Sequence, residues 1–322
     1  MELKQSALCQ KSLLLVTTLL LIPIFYGHTV TTHLRELKAV SGAILESSWE
    51  AFLQLVGEDD YNLYVWGITL SVQIPFWAIG IFFMIVDYYN WPKWFRKYKL
   101  QPGTNEPVDL NKLLETVKVV LINQWAISYP LTIVSYYFKK ATNTTPIIHG
   151  LQLSNKHYWI LPFCSFAKKS ECTTCIGCCI PFERRSFSSA NSLLPHRLVH
   201  HPKLYITVHK KHHEWRAPVA IASMYSTPIE YLLLLGAAAV GPLIVNPHTA
   251  LLWFWYAFVH LRSVNEHTGY KFPWLPFSDH HDYHHIMNNA CFSHSYFLDW
   301  LHGTDKGFRA YVSRKKSAKQ ID

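Results

Sequence analysis

Three histidine clusters in the last part of the chain constrain its fold more than any other feature. They are His196, His200 and His201; His209, His212 and His213; and His280, His281, His284 and His285, with His267 between the second and third. Residues three or four positions apart lie on one face of a helix, so each cluster is predicted to present its imidazoles on one face. Nitrogen ligands that converge from separate stretches of chain are typical of a multi-histidine metal site.

The number of histidines indicates how many metal ions such a site would hold. Imidazole binds zinc, copper, nickel and iron, so the spacing does not identify the metal. A single histidine is more often structural, but about ten candidates exceed the four ligands of a tetrahedral ion, which predicts two ions side by side. The candidate ligands are His196, His200, His201, His209, His212, His213, His267, His281, His284 and His285. No catalytic residue beyond these ligands is predicted.

Composition favours a membrane protein. Half of the 322 residues are hydrophobic, 16% are charged and 12 are tryptophan, which is too apolar for an ordinary soluble protein. The formal charge of +9 does not indicate nucleic-acid binding, because the basic residues form short clusters beside apolar runs, at 93–99 and 314–316. The 7 cysteines are odd in number and partly adjacent, so they do not predict a disulfide framework.

Apolar segments predict several membrane helices. Residues 12–26 are shorter than the roughly 20 residues of a spanning helix, so they are interpreted as a signal-anchor or short membrane helix, with a cleaved signal peptide as the alternative. Residues 33–60 predict an amphipathic helix at the membrane surface, or a plain connecting helix. Residues 61–89 and 116–138 are long enough to span. Basic residues at 93–99 predict that the first of these spans ends on the cytosolic side.

The remaining segments complete a polytopic all-α bundle. Asp109 is predicted to cap the helix that begins at Leu110, and the amides Asn123 and Gln124 are predicted to face the bundle interior. Segments 227–245 and 248–261, separated by an Asn-Pro pair, predict a helical hairpin that dips into or crosses the membrane. Such a hairpin would place all histidine clusters on the cytosolic side.

Four domains are predicted. They are an N-terminal membrane-helix region at 1–150, an atypical cysteine-rich basic linker at 151–195, a histidine-box domain at 196–310 and a basic tail at 311–322, predicted to be disordered from Arg314. Five of the cysteines lie between 164 and 179. A zinc knuckle, a palmitoylated patch and no special function all remain open for them.

These motifs resemble those of the fatty acid hydroxylase and sterol desaturase superfamily of integral membrane enzymes. The matching stretches are HRLVHHP at 196–202, HKKHHEWRAP at 209–218, YSTPIE at 225–230, HTGY at 267–270, HHDYHH at 280–285 and LHGTD at 301–305. The linker at 105–109 and the amides at 123–124 also match. The resemblance covers residues 60–310 and is greatest to the fatty acid hydroxylase domain-containing proteins and the C4-methylsterol oxidases.

The resemblance implies a multi-pass, all-helical enzyme of the endoplasmic reticulum membrane with two iron ions and no haem. Such enzymes use dioxygen and electrons from cytochrome b5 or its reductase to hydroxylate or desaturate a sterol or a long-chain lipid. The resemblance also implies which histidines are ligands. They are His196 and His200 of the first cluster, His209, His212 and His213 of the second, His281, His284 and His285 of the third, and His267. His201 is a possible substitute for His200. The acidic residues Glu214, Glu266 and Asp282 are expected to orient ligand rings by hydrogen bonding. A solvated surface charge is the alternative for all three, and least so for Asp282 within its cluster.

Some positions depart from the family pattern. Residues 186–195 precede the first cluster where the family has an apolar helix, and Thr227 and Ser263 replace family histidines. These departures keep open a catalytically weak paralogue that binds lipid or a partner protein. A metal transporter is less consistent with the sequence, because the clusters follow polar, lysine-rich segments rather than lying within spanning helices.

Overall fold

A computed structural model describes residues 29, 32–33, 36–37, 39–144, 193–273 and 278–318. The predictions for 12–26 and for the cysteines at 164–179 lie outside these residues. The chain divides into two compact units, Met1–Glu58 with His149–Ile176, and Asp59–Ile148 with Gly177–Asp322. The described part of the first unit is helix α1, residues 39–56, which ends at Gly57 with a φ of 87°. The apolar side chains of Leu37, Val40 and Ile44 are exposed.

The second unit is helical. Its helices are α2 Gly67–Tyr89, α3 Leu110–Ile122, α4 Tyr129–Ala141, α5 at 193–199, α6 Pro202–Leu204, α7 Pro228–Val245, α8 Thr249–His267, α9 Ser278–Met287, α10 Tyr296–Leu301 and α11 Phe308–Ala318. Within the described ranges there is no strand, only an isolated bridge between Lys99 and Tyr270. The predicted all-α fold is confirmed.

Two continuous helical segments are long and apolar enough to cross a membrane. They are Asn62–Tyr89, with 28 residues, and Leu110–Ala141, with 32 residues, and they match the predicted spans at 61–89 and 116–138. Each contains a π-helical turn, Asn62–Trp66 in the first and Asn123–Ser128 in the second. π turns widen the helix by one residue per turn and occur often at functional sites.

Helix α2 is apolar on both of its faces. Phe76 and Phe83 are 0% and 6% exposed and pack in the protein core, whereas Ile74 and Ile81 on the opposite side are 65% and 46% exposed. A helix with an apolar outer face is typical of a membrane span rather than of a helix at an aqueous surface.

The ends of these helices follow local capping rules. Helix α2 ends at Asn90, which adopts a left-handed conformation with a φ of 52° and precedes Trp91 and Pro92; proline cannot continue a helix. Helix α3 begins after Asp109, whose side chain accepts a hydrogen bond of 2.7 Å from the backbone N–H of Lys112. The predicted Asp109 cap is confirmed, and such a cap contributes about 1 kcal/mol.

The predicted hairpin is formed by α7 and α8. The turn at Asn246 has a φ of 44°, and its side-chain oxygen accepts a hydrogen bond of 3.0 Å from Lys139 Nζ at the end of α4. At the same end of the bundle, Trp253 Nε1 donates to the Leu63 carbonyl at 2.9 Å. Helices α7 and α8 therefore run between this end and the opposite end, where α8 finishes at His267.

The C-terminal segment differs from its prediction. Residues 314–318, expected to be disordered, form the last turns of α11. Tyr311 packs on Tyr283 of α9 with ring centroids 4.9 Å apart, and Lys315 Nζ donates to the Leu100 carbonyl at 2.5 Å. The sequence-based prediction was wrong because it weighed the basic charge and not these anchoring contacts.

Candidate metal centre

Nine histidines form two groups at the end of the bundle where α8 finishes. Within each group the potential ligand nitrogens all lie within 4.8 Å of one another. The five-histidine group consists of His196, His200, His209, His213 and His284, and the four-histidine group of His212, His267, His281 and His285. The groups adjoin, because the rings of His213 and His285 have centroids 4.6 Å apart. All nine belong to the predicted ligand set.

The second and third clusters each contribute to both groups. His209 ends a π-helical turn and His212 begins a 3-10 turn, so the rings of His209 and His213 enter one group and that of His212 enters the other. On α9, His284 enters the five-histidine group while His285 enters the four-histidine group. The ring centroids within each of these clusters lie 4.6–5.8 Å apart, so the expectation that each cluster presents its rings on one face is confirmed, and both groups draw on that face. Because the second cluster and α9 each supply histidines to both groups, the two groups must lie next to each other.

His201 is the predicted ligand that belongs to neither group. Its side chain is exposed and its Nδ1 accepts a hydrogen bond of 3.3 Å from the backbone N–H of Lys203 at the start of α6. The sequence placed it beside His200, but the chain turns between the two residues, so that only His200 points inward. His201 serves as a helix cap.

Hydrogen bonds at Nδ1 hold the rings of the five-histidine group. His196 Nδ1 donates to the Phe292 carbonyl at 2.7 Å, and His284 Nδ1 donates to the Ala290 carbonyl at 2.8 Å. His209 Nδ1 bonds to a carboxyl oxygen of Glu230 at 2.7 Å, with both side chains buried. Such bonds to the far ring nitrogen fix the tautomer and orientation of histidine ligands.

Two rings of the four-histidine group are held by backbone carbonyls, one in α8 and one in the loop before α7. His267 Nδ1 donates to the Ser263 carbonyl at 2.7 Å, one turn earlier in α8, and His212 Nδ1 donates to the Tyr225 carbonyl at 3.2 Å. The amide of Asn123 donates to the two neighbouring carbonyls, those of Met224 and Ser226, at 3.1 Å each. Asn123 and Gln124 are both 1% exposed, so the prediction that they face the bundle interior is confirmed.

The opposite ring nitrogens face one another across short distances. The Nε2 atoms of His267 and His212 are 3.1 Å apart, and those of His267 and His281 are 3.0 Å apart. A neutral imidazole that donates through Nδ1 carries a lone pair and no proton at Nε2. Because His212 and His267 both donate through Nδ1 to carbonyls, their Nε2 lone pairs point at each other, an arrangement that a bound cation stabilises. The donor set therefore fits a metal ion.

Burial keeps these imidazoles neutral. Removal from water lowers the pKa of His200 to about 3 and that of His212 to about 4. Burial, followed by the charge of His200, lowers the pKa of His196 well below its usual range, and burial followed by the charge of His196 does the same for His284. Neutral imidazole is the form that binds metals.

The three acidic residues expected to orient the ligands have other partners. Glu214 accepts a hydrogen bond of 2.6 Å from the Tyr225 hydroxyl, and Asp282 accepts one of 2.8 Å from Gln101. Glu266 bonds to Arg262 and to His294, neither of which belongs to the two groups. For the nine histidines of the two groups the expectation was wrong because it used proximity in sequence, whereas acidic side chains next to a ligand on a helix point away from it.

Glu230 is the carboxylate that the sequence reasoning missed. Thr227 caps α7 by accepting a hydrogen bond of 3.4 Å from the Glu230 backbone N–H. A threonine followed three positions later by glutamate is typical of a capping box, in which the glutamate serves the helix end. The glutamate side chain instead reaches His209, and the sequence signal that could have identified it is a single acidic residue in the otherwise apolar segment Pro228–Val245.

Comparison with known proteins gives a consistent result. A family model described as "Fatty acid hydroxylase" matches residues 190–304. Human "Fatty acid hydroxylase domain-containing protein 2" is 32% identical over 88% of this chain and 79% of its own length. "Methylsterol monooxygenase 2-2" of Arabidopsis thaliana is 28% identical over 85% and 97%. "Very-long-chain aldehyde decarbonylase GL1-8" of Oryza sativa subsp. indica is 29% identical over 84% and 94%. No solved structure matches the chain.

Proposed function

Because the chain belongs to the fatty acid hydroxylase family, whose members are iron-dependent oxidoreductases, we propose that it is a membrane-bound diiron oxygenase. It hydroxylates or desaturates a sterol or a long-chain lipid with dioxygen. The observation that carries this proposal is the convergence of nine histidines from separate stretches of chain into two adjoining groups.

The histidines would hold one iron ion in each group through their inward-facing nitrogens. When bound, iron supplies the activation of dioxygen that removes hydrogen from an unactivated carbon. The protein contributes orientation, through Glu230 on His209 and through backbone carbonyls on His196, His212, His267 and His284. It also excludes water, because His284 and His285 are 0% exposed.

The surroundings of the centre support a lipid substrate. Two apolar helical segments are long enough to span a membrane, and Asn123 of the second contacts the loop that holds His212. The first carries exposed apolar side chains such as Ile74. A substrate dissolved in the bilayer would reach the centre from these helices. Relatives named for methylsterols and for very-long-chain aldehydes favour a sterol or a long aliphatic chain.

Charged residues at the histidine end of the bundle support a proposal for cellular location and electron supply. The basic segment Lys93–Tyr98 comes directly after α2, and Lys203 and Lys210 are exposed beside the histidine groups. Basic residues at the end of a membrane helix favour a cytosolic position for that end. We place the protein in the endoplasmic reticulum membrane as a multi-pass protein, with cytochrome b5 or its reductase as the electron donor. The exposed lysines suit an acidic donor.

The test is turnover in reconstituted membranes. The full chain in lipid vesicles, supplied with iron, NADH, cytochrome b5 and its reductase, is incubated with methylsterols and long-chain lipids, and products are identified by mass spectrometry. We expect an oxygenated or desaturated product that requires dioxygen and disappears in His284→Ala. A wild-type protein that retains iron but consumes no dioxygen with any lipid would contradict the enzyme proposal and support the lipid-binding paralogue.

A further inference from the structure

His294 lies beside the four-histidine group, in the turn that joins α9 to α10. We infer that His294 is an additional metal ligand of this group and that Glu266 orients it. The inference rests on the proposed iron centre, but it concerns a residue outside the nine described above. It would give both groups five histidines.

The position of the His294 ring is compatible with ligation. Its centroid lies 6.2 Å from that of His281. Within the four-histidine group, the same distance ranges from 4.3 Å between His267 and His281 to 6.4 Å between His212 and His281. His294 is not among the residues whose nitrogens lie within 4.8 Å of one another, so ligation requires the ring to move inward.

His294 also has the freedom to make this movement. Its side chain is 24% exposed, whereas His267 and His281 are 3% and 5% exposed. Rotation of the imidazole about its two side-chain torsions, followed by the side chain of Glu266, moves Nε2 by ångströms without moving the helices. A histidine on a turn can therefore bind the ion after the buried histidines have bound it.

Glu266 gives His294 the same arrangement that Glu230 gives His209. The Nδ1 atom of His294 bonds to the Glu266 carboxyl group, which is buried. Histidine ligands of metals commonly donate their second ring nitrogen to a carboxylate. With Nδ1 engaged in this way, Nε2 carries the lone pair that binds metal.

Arg262 supports the pair from the same helix. Its Nε donates to the other oxygen of Glu266 at 3.2 Å, and its Nη2 donates to the His294 carbonyl. Glu266 directly precedes the ligand His267 in α8. Helix α8 therefore supplies the ligand His267, the carboxyl group that contacts the His294 ring, and the arginine that contacts the His294 backbone.

The experiment compares metal binding by the full chain and by His294→Ala, with His201→Ala as the matched control. His201 undergoes the same chemical change, but it is exposed and lies outside both groups. Co²⁺ is titrated into metal-free protein in detergent against a competing chelator, and the visible spectrum is recorded. A thermal unfolding curve for each metal-free variant checks that it is folded.

We expect two Co²⁺ ions to bind to all three proteins at saturation. In His294→Ala, one ion should bind about 10-fold or more weakly, and its spectrum should change as its coordination number falls. Glu266→Gln should weaken the same ion by a smaller factor. His201→Ala should match the wild type.

Two other outcomes separate the possible failures. Unchanged affinities and spectrum in a folded His294→Ala would overturn the assignment of His294 while leaving the two-ion centre intact. A wild-type chain that binds no Co²⁺ or iron would overturn the proposed function, and with it this ligand.

Discussion

The five-histidine group and the four-histidine group share two of the histidine clusters, yet different parts of the chain hold them. The first depends on Glu230 at the start of α7 and on carbonyls at 290 and 292. The second depends on α8 and on a loop braced by Asn123 of the second long helix. The two groups should therefore respond to different substitutions, although their rings adjoin.

The groups also differ in their number of histidines. One contains five, whereas the other contains four and has the partly exposed His294 beside it. Catalytic metal sites keep a position open for water or substrate, and closed sites do not. The four-histidine group is therefore the one with the more adjustable coordination.

Substitution of the adjacent residues His284 and His285 on α9 should give the largest difference between the two groups. His284→Ala should remove the iron ion of the five-histidine group, and His285→Ala that of the four-histidine group, because the two rings enter different groups. Either change should lower turnover at least about 100-fold. Iron per chain and product formation are measured, with His201→Ala as control. Loss of both ions from each variant would show that the groups are not separable.

Removal of the Glu230 carboxylate should affect only the five-histidine group. Glu230→Gln keeps the size of the side chain but replaces the carboxyl group that orients His209 with an amide, so iron affinity in this group should fall about 10- to 100-fold. The affinity of the second ion should remain within about twofold of wild type. Chelator competition measures both, and equal weakening of the two ions would contradict the separate support.

Substitution of Asn123 should act on the opposite group. Asn123→Leu removes the donors to the Met224 and Ser226 carbonyls, leaving two buried acceptors unpaired at a cost of about 1–3 kcal/mol each. The loop that carries the Tyr225 carbonyl should shift, and the ion bound with His212 should weaken. Gln124→Leu is the control, because Gln124 contacts the Met224 sulfur and Trp77 instead. Equal iron affinity in both variants would argue against the bracing role.

Acid should destabilise the metal-free protein through both groups. The pKa of His200 is lowered to about 3 and that of His212 to about 4, so below pH 6.5 the unfolded chain binds protons that the folded chain does not. Stability should then fall as pH decreases from 6.5 to about 4, by up to about 1.4 kcal/mol per pH unit for each histidine. His200→Gln and His212→Gln should each reduce this slope in thermal unfolding experiments. A slope that neither variant changes would assign the acid sensitivity elsewhere.

Periodicity and spacing predicted much of this structure. The two long apolar helices, the hairpin and the Asp109 cap follow from local rules of hydrophobic length and end chemistry. The histidine pattern predicted all nine members of the two groups. The division of His284 and His285 between groups could not be predicted, because it depends on the tertiary packing of α9.

The errors have the same physical origin. His201 and His200 are adjacent in sequence, but a turn sends one outward. Glu266 was expected to orient a ring of the nine, whereas its partner is His294, 28 positions later. Contacts between residues this distant arise from the fold, and spacing within one segment carries no information about them.

The most direct test of the central claim is the iron content of the purified full chain, compared with that of a His212→Ala, His284→Ala double variant. The double variant removes one ligand from each group. The account predicts close to two iron ions per wild-type chain, and loss of both in a double variant that is still helical. A well-folded wild-type chain that binds no iron under reducing, iron-replete conditions would contradict the proposed diiron centre.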